Sequence, residues 1–128
     1  MSDATPAVGP LRVPPAVTPV TEAFWTGGRD GELLICRCDD CGTWSHPPRE
    51  RCRACTSTAV APHPVSGRGR VVSLTVNHQQ WNPAGRTDPY PIALVELDEQ
   101  PGLRLLTGLA GERAGEAGIG SAVRVRFE

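Results

Sequence analysis

The stretch "CRCDDCGTWSHPPRERCRAC", residues 36–55, holds all five cysteines of a 128-residue chain. Four of them form two C-x-x-C pairs, Cys38 with Cys41 and Cys52 with Cys55, with ten residues between the pairs. A two-residue gap lets both thiolates of a pair reach one ion while backbone N–H groups bond to the sulfurs, and zinc takes four soft ligands in a tetrahedron. The pattern therefore predicts a zinc ribbon of two facing knuckles, with Cys38, Cys41, Cys52 and Cys55 around one structural Zn2+. Gly42 suits the tight turn that follows the first pair, whereas Thr56 in the matching place is a poorer fit.

Two other uses of these thiols are weaker. A disulfide framework would leave an odd cysteine and needs an oxidising compartment, and a thioredoxin-like motif needs one C-x-x-C on a βα unit. Cys36, two residues before Cys38, is expected as a small buried hydrophobe. His46, His63 and His78 are not expected as ligands, because four thiolates already complete a closed site. Such a site leaves no position for water, so the metal holds the fold and function lies elsewhere. A ribbon of this size has almost no core, and structural zinc supplies roughly 10–16 kcal/mol of apparent binding energy that acts as folding energy.

Upstream, residues 1–17 are rich in proline and small residues, too few of them apolar to offset chain ordering, so a flexible arm is expected. A short helix is expected over 18–30, with Thr18 as N-cap, Pro19 at its first position and Gly27-Gly28 ending it. It carries Phe24 and Trp25, whose rings need a surface, either this protein's own ribbon or a partner. Residues 31–64 form the ribbon. Over 65–128, "GRGRVVSLTVNHQQW", "YPIALVELDE", "GLRLLTGL" and "AVRVRFE" read as four strands with Gly and Pro in the turns. In the last, Val123, Val125 and Phe127 alternate with Arg124 and Arg126. Strands without intervening long helices imply an antiparallel sheet, and a long bent first strand suits a small closed barrel of the OB type. The fold class is thus mainly β: a short N-terminal helix, a rubredoxin-like zinc ribbon and an antiparallel OB-fold barrel.

Thirteen arginines without a lysine face 14 acidic residues, for a net charge of −1. That is not the basic footprint that drives phosphate-backbone binding, so nucleic acid is not expected as a partner, although ribbons and OB folds both occur in nucleic-acid binders. The apolar runs are too short for a membrane span and no basic-then-apolar leader is present, so a cytoplasmic protein with no membrane contact is expected. No G-x-S-x-G, P-loop or G-x-G-x-x-G motif occurs, and His78, Asp88 and Tyr90 have nothing fixing their geometry. No catalytic residue is assigned.

Taken in order, Phe24-Trp25, "GEL" (31–33), "CDDCG", "HPPR" (46–49), "CRAC", "VSGRGRV" (65–71), "PYPIALVELDE" (89–99) and "RLLTGL" (104–109) resemble the zinc-ribbon plus OB-fold family known as domain of unknown function 35. The resemblance covers about residues 18–128. It departs at Thr56, in place of a knuckle glycine, and at His46, where the family more often has an aromatic residue before the Pro-Pro pair. The resemblance implies an accessory subunit of acyl-CoA enzymes, paired in a hetero-oligomer with a thiolase-fold aldolase or thiolase such as those of steroid side-chain degradation. The partner would hold the catalytic residues. The chain would act as a separate small subunit or as an excised domain. Phe24, Trp25, Trp81 and Tyr90 are then candidates for the partner interface, and Arg68, Arg70 or Arg86 for a CoA phosphate. An independent acyl-CoA-binding regulator is the remaining alternative.

Overall fold

The computed structural model describes residues 15–79, 88–111 and 114–127. Before the first helix, the Thr18 carbonyl accepts from the N–H groups of Thr21 (3.1 Å) and Glu22 (2.8 Å), while the Thr18 N–H donates to Thr21 Oγ1 (3.0 Å). Thr18 thus makes capping contacts, but through a turn. The regular helix α1 spans only Glu22–Thr26, not the region from Pro19 onward. Nor do Gly27 and Gly28 end the winding. The chain tightens into a 3-10 turn over Gly27–Asp30 and stops at Gly31, whose φ of 74° is cheap only for glycine.

The ribbon is a three-stranded antiparallel sheet in the order β2-β1-β3, formed by β1 (Leu33–Cys38), β2 (Trp44–Ser45) and β3 (Val60–Val65). Ser66 and Gly67 lead directly into the second sheet, β4 (Arg68–Asn77), β5 (Tyr90–Leu97), β6 (Arg104–Gly108) and β7 (Ala122–Arg124), ordered β6-β5-β4-β7. β4 and β5 pair along almost their whole length, with a bulge between Val71 and Ser73 that bends the long strand.

The second sheet curls as an OB-type unit but does not close. Among the described residues β6 and β7 make no ladder, because β6 has five residues, β7 only three, and each already pairs inward, with β5 and β4. The expected closed barrel is therefore a half-barrel. The opening is a groove of about 830 Å³ whose walls include Leu105 and Leu109 on one side and Val123 and Val125 on the other. Alternation in the last strand holds as far as Val125. Val123 and Val125 are half-buried, but Phe127 is 38% exposed.

The ribbon and the half-barrel share one apolar core. Leu33 and Ile35 from β1 cluster with Val71, Ala93, Val95, Leu97 and Leu103 of the second sheet, and Ile35 is completely buried. A second tie crosses the same junction: the Gln100 side chain accepts from the Trp44 N–H (2.9 Å) and donates to the Trp44 carbonyl (3.1 Å). One amide thus pairs with a backbone edge that strand β2 would otherwise leave open. No helix among the described residues is long and apolar enough to cross a membrane.

Candidate metal centre and exposed surface

The two knuckles are near copies of each other. In the first, the Gly42 N–H donates to the Cys38 carbonyl (2.8 Å) and the Cys38 N–H to the Thr43 carbonyl (2.9 Å). In the second, Thr56 donates to Cys52 (3.0 Å) and Cys52 to Ser57 (2.9 Å). Gly42 has φ 79°, and Thr56 adopts the same left-handed conformation at φ 63°. The mismatch in sequence is thus absorbed as backbone strain on a β-branched residue rather than as a different loop.

These loops bring the sulfurs of Cys38, Cys41, Cys52 and Cys55 within 4.8 Å of one another. Cys38 and Cys55 approach to 3.6 Å, and Cys41 and Cys52 to 3.5 Å. A tetrahedron with Zn–S spokes of about 2.3 Å has edges of about 3.8 Å, so the cluster suits zinc. Cys38 and Cys52 are buried and Cys41 and Cys55 lie on the outside. Cys36 is buried opposite Ser45 and Pro62, apart from the four.

Local hydrogen bonds tune the thiols. Thr43, through its hydroxyl and then its N–H, holds Cys41 down to about 6. The N–H groups of Cys55 and Ala54 lower Cys52, whose sulfur lies 3.5 Å and 3.3 Å from those nitrogens. At Cys55 the Ser57 N–H pulls downward, but the neighbouring Cys38 and Cys41 sulfurs and burial prevail and push the thiol up to about 12. Four crowded sulfurs cannot all ionise without a cation among them, which is the electrostatic condition a divalent metal relieves.

Outside the cluster, Asp39 and His63 Nε2 meet at 2.8 Å, and Ser57 donates to Asp40 between the two knuckles. The Arg37 guanidinium stands 5.3 Å from the centroid of the Trp44 ring, and its Nε donates to the Gly42 carbonyl (3.2 Å). His46 takes the place of an aromatic ring in the packing, with its centroid 4.8 Å from that of Phe24. Burial lowers its pKa, favouring the neutral ring.

The two aromatic residues of α1 divide. Phe24 packs against the shared core, whereas Trp25, edge-on to it at 4.8 Å, remains 47% exposed. Tyr90 is half-buried at the start of β5, opposite Asn77. Arg68 and Arg70 are exposed on β4. Trp81 and Arg86 lie outside the described residues. The structure also adds residues that sequence reasoning passed over. Gln100 and Trp44 meet only because the fold joins positions 56 apart. Arg124 stands directly across from Arg68; the alternation of the last strand gives its face, but only the β4–β7 register gives its neighbour.

Two family models match. Residues 25–61 match the "ChsH2, rubredoxin-like zinc ribbon domain" and residues 62–128 the "ChsH2, C-terminal OB-fold domain". A DUF35 domain-containing scaffold protein of Methanocaldococcus jannaschii is 32% identical over 96 residues, which are 74% of this chain and 67% of that protein. The 3-oxo-4,17-pregnadiene-20-carboxyl-CoA hydratase alpha subunit of Mycobacterium tuberculosis is 40% identical over 107 residues, 84% of this chain but 33% of the relative. The chain thus spans about a third of that subunit's length. A solved structure of the Ltp2-ChsH2(DUF35) aldolase superposes with a TM-score of 0.74 at 35% identity, covering 87% of this chain and 85% of the solved one.

Proposed function

This chain belongs to the DUF35 family, with a ChsH2-type zinc ribbon followed by an OB-fold domain, and on that footing we propose that it is a non-catalytic accessory subunit of an acyl-CoA enzyme. It binds and stabilises a thiolase-fold partner, an aldolase or a thiolase of steroid or lipid side-chain degradation, in a cytoplasmic hetero-oligomer. It also helps shape the partner's entrance for the CoA thioester. The partner supplies the acid, base and any nucleophile for carbon–carbon cleavage. Cys38, Cys41, Cys52 and Cys55 hold one zinc, which staples the ribbon and takes no part in the reaction.

The observation that carries this reading is the match to a chain of a solved aldolase over 85% of that chain's length, ribbon and half-barrel together. The exposed surface supports it. Trp25 stands half-exposed on a Phe24 fixed by the core, an anchor whose ordering cost is already met within the free subunit. Leu106 and Ile119 are 67% and 77% exposed, apolar area that a partner would cover. The proposed interface also includes Phe24, Tyr90, Trp81 and Arg86.

Affinity purification from the native cell tests the assembly. A thiolase-fold subunit in stoichiometric yield is expected, and Trp25→Ala should weaken the complex by about 2 kcal/mol if the ring is a buried anchor, with metal content unchanged. Recovery of the chain alone, at concentrations where both proteins are present, would contradict the reading.

A further inference from the structure

The edges of the two sheets are finished in opposite ways. In the ribbon both edges are closed. On β2, Gln100 occupies the N–H and the carbonyl of Trp44. On β3, the Asp39 N–H donates to the Ala59 carbonyl (2.7 Å), which places the hydrogen-bonded rungs with β1 at 37/61, 35/63 and 33/65. Pro62 and Pro64 therefore turn their backbone outward, and a proline there has no N–H to offer another strand.

In the half-barrel both edges are open, and both line one groove. The Leu97 N–H donates to the Leu103 carbonyl (2.8 Å), so Leu105 and Thr107 of β6 bond to β5 while the backbones of Arg104, Leu106 and Gly108 point away from it. Across the groove, the Val125 N–H donates to the Gly67 carbonyl (2.7 Å) and the Val71 N–H to the Ser121 carbonyl (3.0 Å), which leaves the backbones of Ala122 and Arg124 pointing outward from β7. Among the described residues none of these outward N–H groups has an acceptor. The β7 edge is also held in place, because Val125 packs on Gly67 and Phe127 on Gly28 with no room for a Cβ at either glycine. An OB barrel ordinarily closes with a fifth strand, whereas the described sheet has four, and its gap falls between β6 and β7.

We propose that this gap is a strand-acceptor site, in which an extended segment of the thiolase-fold partner pairs with β6 and β7 and closes the barrel. The acceptor rests on the two open edges; the partner as donor rests on the accessory-subunit reading above. Because β6 runs parallel to β4 and β7 antiparallel to it, the guest lies antiparallel to one edge and parallel to the other. Its alternate side chains enter the groove against Leu105, Leu109, Val123 and Val125, which calls for an apolar residue at every second position. Arg124 and Arg126 outnumber Glu116 along the lining, so an acidic residue at that end of the guest completes the match. The chain's own residues 1–14 suit the gap poorly: Pro6, Pro10 and Pro14 leave proline-free runs of five, three and three residues, and a strand paired on both sides does not tolerate proline.

Amide hydrogen exchange of the full chain, alone and assembled with the purified thiolase-fold subunit, tests the site. In the complex the outward N–H groups of Arg104, Leu106, Gly108, Ala122 and Arg124 should slow by about a hundredfold or more, while Leu105 and Thr107, already bonded to β5, should change little. Leu106→Pro removes one donor from the open edge and leaves the ladder to β5 whole, whereas Leu106→Ala only trims the side chain. Strand pairing predicts that the proline weakens assembly by about tenfold more than the alanine does. Ala122→Pro applies the same test to β7, so a fault confined to β6 does not decide the outcome, and each variant should keep one zinc per chain and the wild-type protection of the β4–β5 ladder. Edge amides that exchange equally fast free and bound, in a complex that does form, would overturn the site and leave the accessory role standing. Equal losses for Leu106→Pro and Leu106→Ala would overturn it too, reducing β6 to an apolar contact. Absence of the complex would remove the partner as donor. Edge amides already slow in the chain alone would replace the partner with another occupant: residues 1–14 if their deletion restores fast exchange, a second copy if the slowing vanishes on dilution.

Discussion

The ribbon and the half-barrel differ in what closes them. The ribbon has two strands of six residues and one of two; one end is gathered by four sulfurs, and the buried face of its central strand belongs to the core it shares with the half-barrel. The half-barrel contributes most of that core but stays open between β6 and β7. Neither closes by itself, and the two lean on each other through Leu33, Ile35 and the Gln100 clamp. The lesson is that a boundary readable in sequence as a change of motif can run through the middle of a single core.

Removing the metal should break the comparison most severely. Because structural zinc contributes roughly 10–16 kcal/mol of apparent binding energy, chelation or Cys38→Ser should unfold the knuckles. Hydrogen exchange should then show lost protection at Gly42 and Thr56 while the long β4–β5 ladder keeps measurable protection. Cys36→Ser should retain one zinc per chain by elemental analysis, since Cys36 lies apart from the four sulfurs. Ile35→Ala attacks the shared core instead. A fully buried isoleucine truncated to alanine costs about 2–5 kcal/mol, and denaturant unfolding should show ribbon and half-barrel losing stability together with zinc still bound. If only one of them is destabilised, the core is not shared in energy.

The amide clamp is a finer probe. Gln100→Ala removes both hydrogen bonds to Trp44 and exposes the β2 edge, so a loss of about 1–2 kcal/mol is expected, visible as faster exchange at the Trp44 N–H. The smallest effect should be a gain. Thr56 is a β-branched residue in a left-handed conformation that costs about 1–2 kcal/mol. Glycine removes that strain but adds unfolded-state freedom worth about 0.5–1 kcal/mol. Thr56→Gly should therefore stabilise the ribbon by about 0.5 kcal/mol, measurable as a higher midpoint at unchanged metal stoichiometry.

What the sequence revealed follows the range of the interactions. The knuckles were legible because each ligand pair, its turn residue and its hydrogen bonds lie within six residues. The strands of the second sheet were legible from alternation and turn residues, though α1 proved shorter at its start because the Thr18 cap spans a turn first. The open barrel was not legible, since closure depends on how far the short β6 and β7 extend. Gln100 on Trp44 and Arg124 opposite Arg68 were hidden for the same reason: both are set by register between segments 56 positions apart, and no local pattern encodes a register. Of the candidate interface residues, the structure separated Phe24, half-buried against the core, from Trp25, left half-exposed, a distinction that adjacent positions in a short helix cannot announce.

The central claim, that this chain assists an enzyme without catalysing, is tested most directly by reconstitution. Acyl-CoA turnover is measured for the purified thiolase-fold partner alone, for this chain alone, and for the two mixed at equal concentration. The account predicts no turnover by this chain, little or unstable turnover by the partner, and restored activity on mixing. Full activity of the partner in the complete absence of this chain would contradict it.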